Sequence, residues 1–148
     1  MSISEAAPGS KGAWWAGRSL SAVVVLFMIF DGVIKLSPLD IATQAMTELG
    51  WPADPNITRL IGAIGLISTA LYALPRTSML GAILLTAYMG GAISTHVRIG
   101  NPLFSHTLFG VYLGVILWGG LYLRDARVQA LIPFSRKEGT KRRLPHHS

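Results

Sequence analysis

The fold is decided by one stretch of the chain, residues 20–36, which reads LSAVVVLFMIFDGVIKL. This nearly unbroken apolar run has 17 residues, which is short but adequate for a helix crossing a hydrocarbon core of ~30 Å at ~1.5 Å per residue. Further apolar runs follow at about residues 57–74, 79–97 and 107–123. None of them shows the polar–apolar alternation of a membrane barrel strand. The sequence therefore predicts an all-α membrane protein, a bundle of four transmembrane helices.

The overall composition also favours lipid as the outer solvent. Hydrophobic residues make up 51% of the 148 residues and charged residues only 14%, against about 25% charged in soluble proteins. A soluble domain of this size could not bury so much apolar surface. The chain has no cysteine, which excludes thiol–disulfide chemistry, thiolate metal sites and iron–sulfur clusters held by this chain.

A short helix is predicted between the first and second spans. Ser37 and Asp40 flank Pro38 in a pattern typical of a helix start, and apolar residues then recur at helical spacing up to Gly50. We expect an amphipathic helix over residues 38–49 that lies at the membrane interface.

The transmembrane domain is expected to cover residues 17–133. A cytoplasmic tail precedes it at residues 1–16, and a basic cytoplasmic tail follows at 134–148. From Arg124 onward we expect the chain to lose regular structure. The first span carries no small-residue cleavage site, so it is expected to remain in the protein rather than act as a removable signal peptide.

The distribution of basic residues predicts the orientation in the membrane. Ten of the thirteen Lys and Arg residues lie near the two termini or in the turn between spans two and three. Basic residues favour the cytoplasmic side, so both termini are expected inside a bacterial-type cytoplasmic (inner) membrane. The net charge of +6 is explained by this topology and by anionic lipid, and we expect no nucleic-acid partner.

Charged residues inside the spans are costly and therefore informative. Asp31 and Lys35 are four residues apart, which places them on one face of a helix. All four spans deliver polar groups to the same outer end of the bundle, and the polar-pocket candidates are Asp31, Lys35, Arg59, His96, Arg98 and His106. Two interpretations remain open. These groups either satisfy one another and pin the helices together, or they form an outward-facing pocket with Asp31 partly desolvated. No metal site is expected, because the histidines lack a second nearby carboxylate.

Small residues allow membrane helices to approach closely. The helix-packing candidates are Gly62, Gly90, Gly91, Gly110 and Gly114. Packing inside the four-helix bundle is the favoured role, and a homodimer formed through the Gly110–Gly114 face is the alternative. The aromatic residues of the spans are interpreted as interfacial anchors or packing residues: Tyr72, Tyr88, Tyr112, Trp118 and Tyr122.

Several stretches between residues 20 and 133 resemble the DoxX-like family of membrane proteins. They are FDGVIKL (30–36), RLIGA (59–63), LGAILLTAYMGGA (80–92) followed by THVR (95–98), and GGLYLRD (119–125) with Pro133. The resemblance implies a four-helix bundle in a bacterial-type cytoplasmic membrane. The family is named for its likeness to a small subunit of quinone-linked sulfur-oxidising complexes, and related branches assist cargo export or receptor assembly.

The leading functional hypothesis is therefore an accessory or redox-associated, quinone-linked membrane component. The residues themselves reveal no cofactor; a quinone is the ligand that the resemblance suggests. Lys35, Arg59 or His96 would donate hydrogen bonds to the quinone carbonyls, while Asp31 would hold Lys35 or relay a proton. The second hypothesis is an assembly factor or scaffold that contacts other membrane proteins, and the third is a small oligomeric permease. Whether the chain catalyses a reaction is left open.

Overall fold

The structure is a computed structural model that describes residues 10–37 and 40–132. Regular structure in these two stretches is entirely helical. The elements are α1 (Lys11–Leu36), α2 (Asp40–Glu48), α3 (Pro55–Ala73), α4 (Ser78–Arg98), a π-helical turn (Leu103–Thr107), α5 (Phe109–Arg124) and α6 (Ala126–Leu131). Within the described residues, four segments are long and apolar enough to cross a membrane, namely α1, α3, α4 and Leu103–Arg124. The predicted four-helix membrane fold, with a short helix between the first two spans, is confirmed.

The four long helices form a ring in which α1 and α4 each pack against both α3 and α5. The connections place α2 and the π-helical turn at one end of the bundle, called here the α2 end. The start of α1, the α3–α4 turn and α6 lie at the opposite end, called the α6 end. The polar residues near the C-terminus of α1 and the C-terminus of α4 therefore meet at the α2 end.

The outer surface of the bundle is apolar, as a lipid environment requires. On α1, Val24 and Met28 are buried in the core, whereas Leu26 and Phe30 are 68% and 66% exposed. Exposed large apolar side chains continue around α3, α4 and α5. Water would not support so large an apolar surface, and the chain is accordingly a small multi-pass integral membrane protein.

Helix α1 begins earlier than the sequence predicted. It starts at Lys11 rather than near Leu20, and the Ser10 hydroxyl accepts a hydrogen bond from the backbone N–H of Ala13 at 3.2 Å. No proline or other breaker interrupts residues 11–19, so the helix extends through part of the predicted N-terminal tail. Residues 1–9 of that tail lie outside the described residues.

Helix α2 lies within the predicted range of 38–49, and its C-terminus is clearly defined. Gly50 follows it with a φ of 80°, a left-handed conformation that glycine adopts readily. The Arg98 guanidinium donates a hydrogen bond of 2.9 Å to the carbonyl oxygen of Leu49. The proposed helix start at Pro38 is outside the described residues.

The expectation that regular structure ends at Arg124 is wrong. Asp125 begins a further helix, α6, because its carboxylate accepts a hydrogen bond of 3.0 Å from the backbone N–H of Arg127. Val128 is only 1% exposed, so apolar packing against the bundle holds this helix in place. The predicted basic tail, residues 134–148, lies outside the described residues.

The predicted packing glycines fall into two groups. A β-carbon on Gly62 would lie 2.7 Å from that of Lys35, and one on Gly110 would lie 2.8 Å from Ile93, so both glycines allow close contacts within the chain. Gly114 is in ordinary contact with a methionine of α4. Gly110 therefore packs against α4 inside the bundle.

Gly90 and Gly91 do not have the predicted packing role within the chain. A β-carbon at either position would have no atom within 4 Å. Both residues are exposed on α4, because their side of the helix turns away from the core.

Candidate functional site

A cavity of about 560 Å³ lies at the α2 end of the bundle. This volume is within the range of roughly 300–1,000 Å³ that is usual for small-molecule sites. All four spanning segments and α2 contribute to its wall, which is mostly apolar. The polar residues of the wall are Asp31, Lys35, Tyr88, Thr95, His96 and His106.

An ion pair on α1 is the strongest polar feature of the cavity. Lys35 Nζ lies 2.6 Å from Asp31 Oδ1 and 2.5 Å from Asp31 Oδ2. The two side chains are 19% and 27% exposed, respectively. The spacing of four residues produces this pair, since it places both groups on one face of the helix. Asp31 is five residues from the end of α1, or about 7.5 Å along the helix axis, so the pair lies below the helix terminus.

Tyr88 on α4 completes a closed network with this pair. Its hydroxyl accepts a hydrogen bond from Lys35 Nζ and donates one to Asp31 Oδ2, both at 3.2 Å. The sequence interpretation of Tyr88 as an interfacial or packing residue missed this role. A signal was present, because Tyr88 lies two helical turns before His96 and ten residues inside the end of α4, which is deep for an interfacial anchor.

Two glycines of α3 make room for the network. A β-carbon on Gly62 would lie 2.7 Å from the β-carbon of Lys35, and one on Gly65 would lie 3.3 Å from the ring of Tyr88. Larger residues at these positions would push α1 or α4 away from α3. The small face of α3 therefore allows Lys35 and Tyr88 to approach each other in the interior.

Two histidines form a second polar group on the cavity wall. The rings of His96 and His106 are 5.9 Å apart and meet edge to face. In each ring Nδ1 has a partner at 2.7 Å, the Asn101 amide for His96 and the Ser105 hydroxyl for His106. Neither Nε2 has a hydrogen-bond partner among the described residues, so each remains available to a bound molecule.

Arg59 and Arg98 do not line the cavity, although the sequence placed them with the other polar groups. Arg59 donates a hydrogen bond of 3.3 Å to the Asn56 side chain on the same helix. Arg98 binds the carbonyl at the C-terminus of α2. The position of a residue along a helix gives its depth in the bundle but not the side of the helix on which it lies. Arg59 and Arg98 lie at the expected end of the bundle but do not line the cavity.

The cavity thus offers a molecule a limited set of polar groups inside an apolar wall. An ammonium, a phenol and two imidazoles can donate or exchange hydrogen bonds, and a carboxylate can accept a proton. In the described part of the chain, no group of three His, Cys, Asp or Glu residues lies close enough to share a metal ion. The arrangement is suited to holding an uncharged head with hydrogen-bond acceptors.

A further polar cluster, at the α6 end, was missed by the sequence interpretation. Tyr72 is fully buried, and its hydroxyl donates to the carbonyl of Leu117 at 2.8 Å while lying 3.0 Å from the Ser21 hydroxyl. Arg124 donates to the Ser21 hydroxyl at 2.9 Å and to the Tyr72 carbonyl at 3.0 Å. These bonds join α1, α3 and α5, so this cluster acts as a structural tie between helices.

Comparison with known families identifies the family of this chain. The family model described as the DoxX-like family matches residues 19–120, a range that includes both histidines and the Asp31–Lys35–Tyr88 network. Comparisons with curated proteins and with solved structures gave no match.

Proposed function

Because the chain belongs to the DoxX-like family and is a multi-pass membrane protein with a cavity at its α2 end, we propose that it is an accessory, quinone-linked membrane component. Its role is to bind a quinone headgroup in that cavity. The observation that carries the proposal is the Asp31–Lys35–Tyr88 network, which supplies charged and neutral hydrogen-bond donors inside a mostly apolar chamber.

The donors match the chemistry of a quinone. Its two carbonyl oxygens accept hydrogen bonds and carry no charge. Lys35 Nζ and the free Nε2 atoms of His96 and His106 are the groups that would bind them. The Asp31 carboxylate pairs with Lys35 and holds it in place, so no counter-ion has to enter with the ligand.

The apolar part of the wall matches the ring. Phe27 and Phe109 lie on the cavity wall with ring centroids 5.1 Å apart, and aromatic faces of this kind stack on flat rings. A planar headgroup would thus contact aromatic side chains while its oxygens bind the polar residues.

The proposed orientation places both termini in the cytoplasm of a bacterial-type cell, with the cavity in the outer half of the inner membrane. The support is the basic residues at the α6 end, where Arg76, Arg124 and Arg127 lie on the same side as the start of α1. Basic residues favour the cytoplasmic side. A reporter fused to the C-terminus tests this orientation, and activity of the reporter only outside the cytoplasm would refute it.

The binding proposal is tested by titrating purified protein with decylubiquinone and following calorimetry or the tryptophan fluorescence, to which Trp51 on the cavity wall contributes. We expect saturable binding to the natural sequence. In the Asp31→Asn/Lys35→Met double variant, we expect affinity to fall about tenfold or more, since hydrogen bonds to charged groups contribute ~1.5–3 kcal/mol. The double variant is used because it leaves no unpaired charge.

Arg59→Met is the matched control, because Arg59 begins a spanning helix at the same end but does not line the cavity. It should bind decylubiquinone like the natural sequence. No saturable binding, or equal binding by the natural protein and the double variant, would overturn the proposal.

A further inference from the structure

The cavity has an opening toward the lipid side of the bundle. Ile64 on α3 lines it and is also 48% exposed on the outer surface. Gly91 lines it as well and has no atom within 4 Å of where a β-carbon would lie. These residues belong to the adjacent transmembrane helices α3 and α4, so the medium that reaches the cavity between them is the bilayer.

On the side away from the membrane interior, the cavity is covered by the apolar face of α2. Ala42 and Met46 are 6% and 5% exposed and line the cavity. The polar residues of α2, including Thr43 and Glu48, line a separate groove. An amphipathic helix in this position separates the cavity from the aqueous side.

The charged network therefore lies inward of the apolar flank between α3 and α4. The charged network is 19–27% exposed and lies within the cavity, whereas the open flank is formed by Ile64 and Gly91. A polar solute arriving from water over α2 would meet the apolar face of that helix first. A molecule dissolved in the bilayer would meet the open flank directly.

We propose that the ligand is an amphiphile that reaches the cavity sideways from the bilayer, with its compact polar head at the Asp31–Lys35–Tyr88 network. Its linear apolar tail lies in the open flank beside Gly91. The volume of about 560 Å³ accommodates more than a single ring, and the remaining apolar space accepts the first part of the tail. This inference rests on the proposed function and specifies the ligand class and its route.

Two substitutions on adjacent residues test the route. Gly91→Leu places a branched side chain in the open flank. Gly90→Leu places the same side chain one residue away, at a position that does not line the cavity. Neither position has a neighbouring atom within 4 Å of an added β-carbon, so both variants are expected to fold.

Binding is measured with two probes that share one ring, decylubiquinone and the corresponding benzoquinone without the decyl tail. For Gly91→Leu we expect the Kd of decylubiquinone to rise about tenfold, the effect of losing roughly two buried methylenes. The tailless ring should bind with little change. Gly90→Leu should bind both probes like the natural sequence.

The outcomes separate the two proposals. If decylubiquinone binds Gly91→Leu as well as the natural sequence, or if both probes lose affinity equally, the lateral route and the placement of the tail are wrong while quinone binding stands. If neither probe binds the natural sequence, the proposed function fails and this inference fails with it.

The absence of cysteine allows an independent measurement. A Gly91→Cys variant should react with a membrane-soluble maleimide, and decylubiquinone should slow that reaction. Gly90→Cys should react without protection by the quinone. Equal protection at both positions, or none at residue 91, would contradict the proposed position of the tail.

Discussion

Neutralising one member of the Asp31–Lys35 pair should destabilise the protein more than removing both charges. Asp31→Asn leaves an ammonium without its carboxylate, and Lys35→Met leaves a carboxylate supported only by Tyr88. An unpaired charge at the middle of a bilayer costs about 2.5–3.5 kcal/mol on the insertion scale. Since the pair is partly exposed and about 7.5 Å from the helix end, we expect about 2 kcal/mol for each single variant.

The double variant carries no charge at either position and should cost only about 1 kcal/mol, because a buried ion pair is often replaced by neutral residues at little cost. The two single effects would sum to about 4 kcal/mol, so the coupling energy is about 3 kcal/mol. The assay is reversible unfolding in mixed micelles titrated with SDS, followed by circular dichroism. Arg59→Met serves as a control and should change stability by less than about 0.5 kcal/mol. Strictly additive effects would refute the coupling inferred from the distances.

Three further predictions use the same unfolding assay. Gly81→Ala should destabilise the protein by about 1–3 kcal/mol or more, because its β-carbon would lie 2.1 Å from a backbone nitrogen of α3. Gly119→Ala has no atom within 4 Å of its β-carbon and should stabilise the protein by about 0.5–1 kcal/mol, so equal effects of the two variants would contradict the packing. Thr58→Val should stabilise by about 1 kcal/mol, because the buried Thr58 hydroxyl has no partner among the described residues, and a loss of stability would indicate a hydrogen bond to water or lipid. The hydrogen bond with Arg127 is the main cause that lowers the pKa of Asp125, so the contribution of Asp125 to folding stability is present above its ordinary pKa of about 3.9 and is lost as the pH falls through the lowered native value. Asp125→Asn should therefore be less stable than the natural sequence at neutral pH, and a difference in stability that persists below the native pKa would exclude this ionisation as its source.

The sequence was sufficient to predict the features that depend on periodicity along one helix. The four spans follow from apolar runs of sufficient length, and the Asp31–Lys35 contact follows from a spacing of four residues. Both properties are local, so neither requires knowledge of how the helices are arranged around one another.

Features that depend on direction around the bundle could not be predicted in this way. Arg59 and Arg98 lie at the expected end but outside the cavity, and Tyr88 enters a network with α1 that no local spacing reveals. The exposed positions of Gly90 and Gly91 on α4 are a similar case. Each outcome depends on which face of a helix meets its neighbours, which is determined by packing of the whole bundle.

Helix α6 was missed for a different reason. The basic character of the chain after Arg124 suggested a loss of structure, but the start signal at Asp125 and the apolar Val128 outweigh it. Here a short capping signal decided the local structure, whereas the average composition of the segment was misleading.

The tie at the α6 end has a consequence for how the protein is made. Arg124 lies 103 residues beyond Ser21, whose hydroxyl it binds. At a synthesis rate of about 5–20 residues per second, the first helix emerges from the ribosome roughly 5–20 s before this partner exists. During that interval α1 must reside in the membrane without its neighbour α5, held by insertion machinery or lipid. A nascent chain released before Arg124 would lack the tie between its first and last spans.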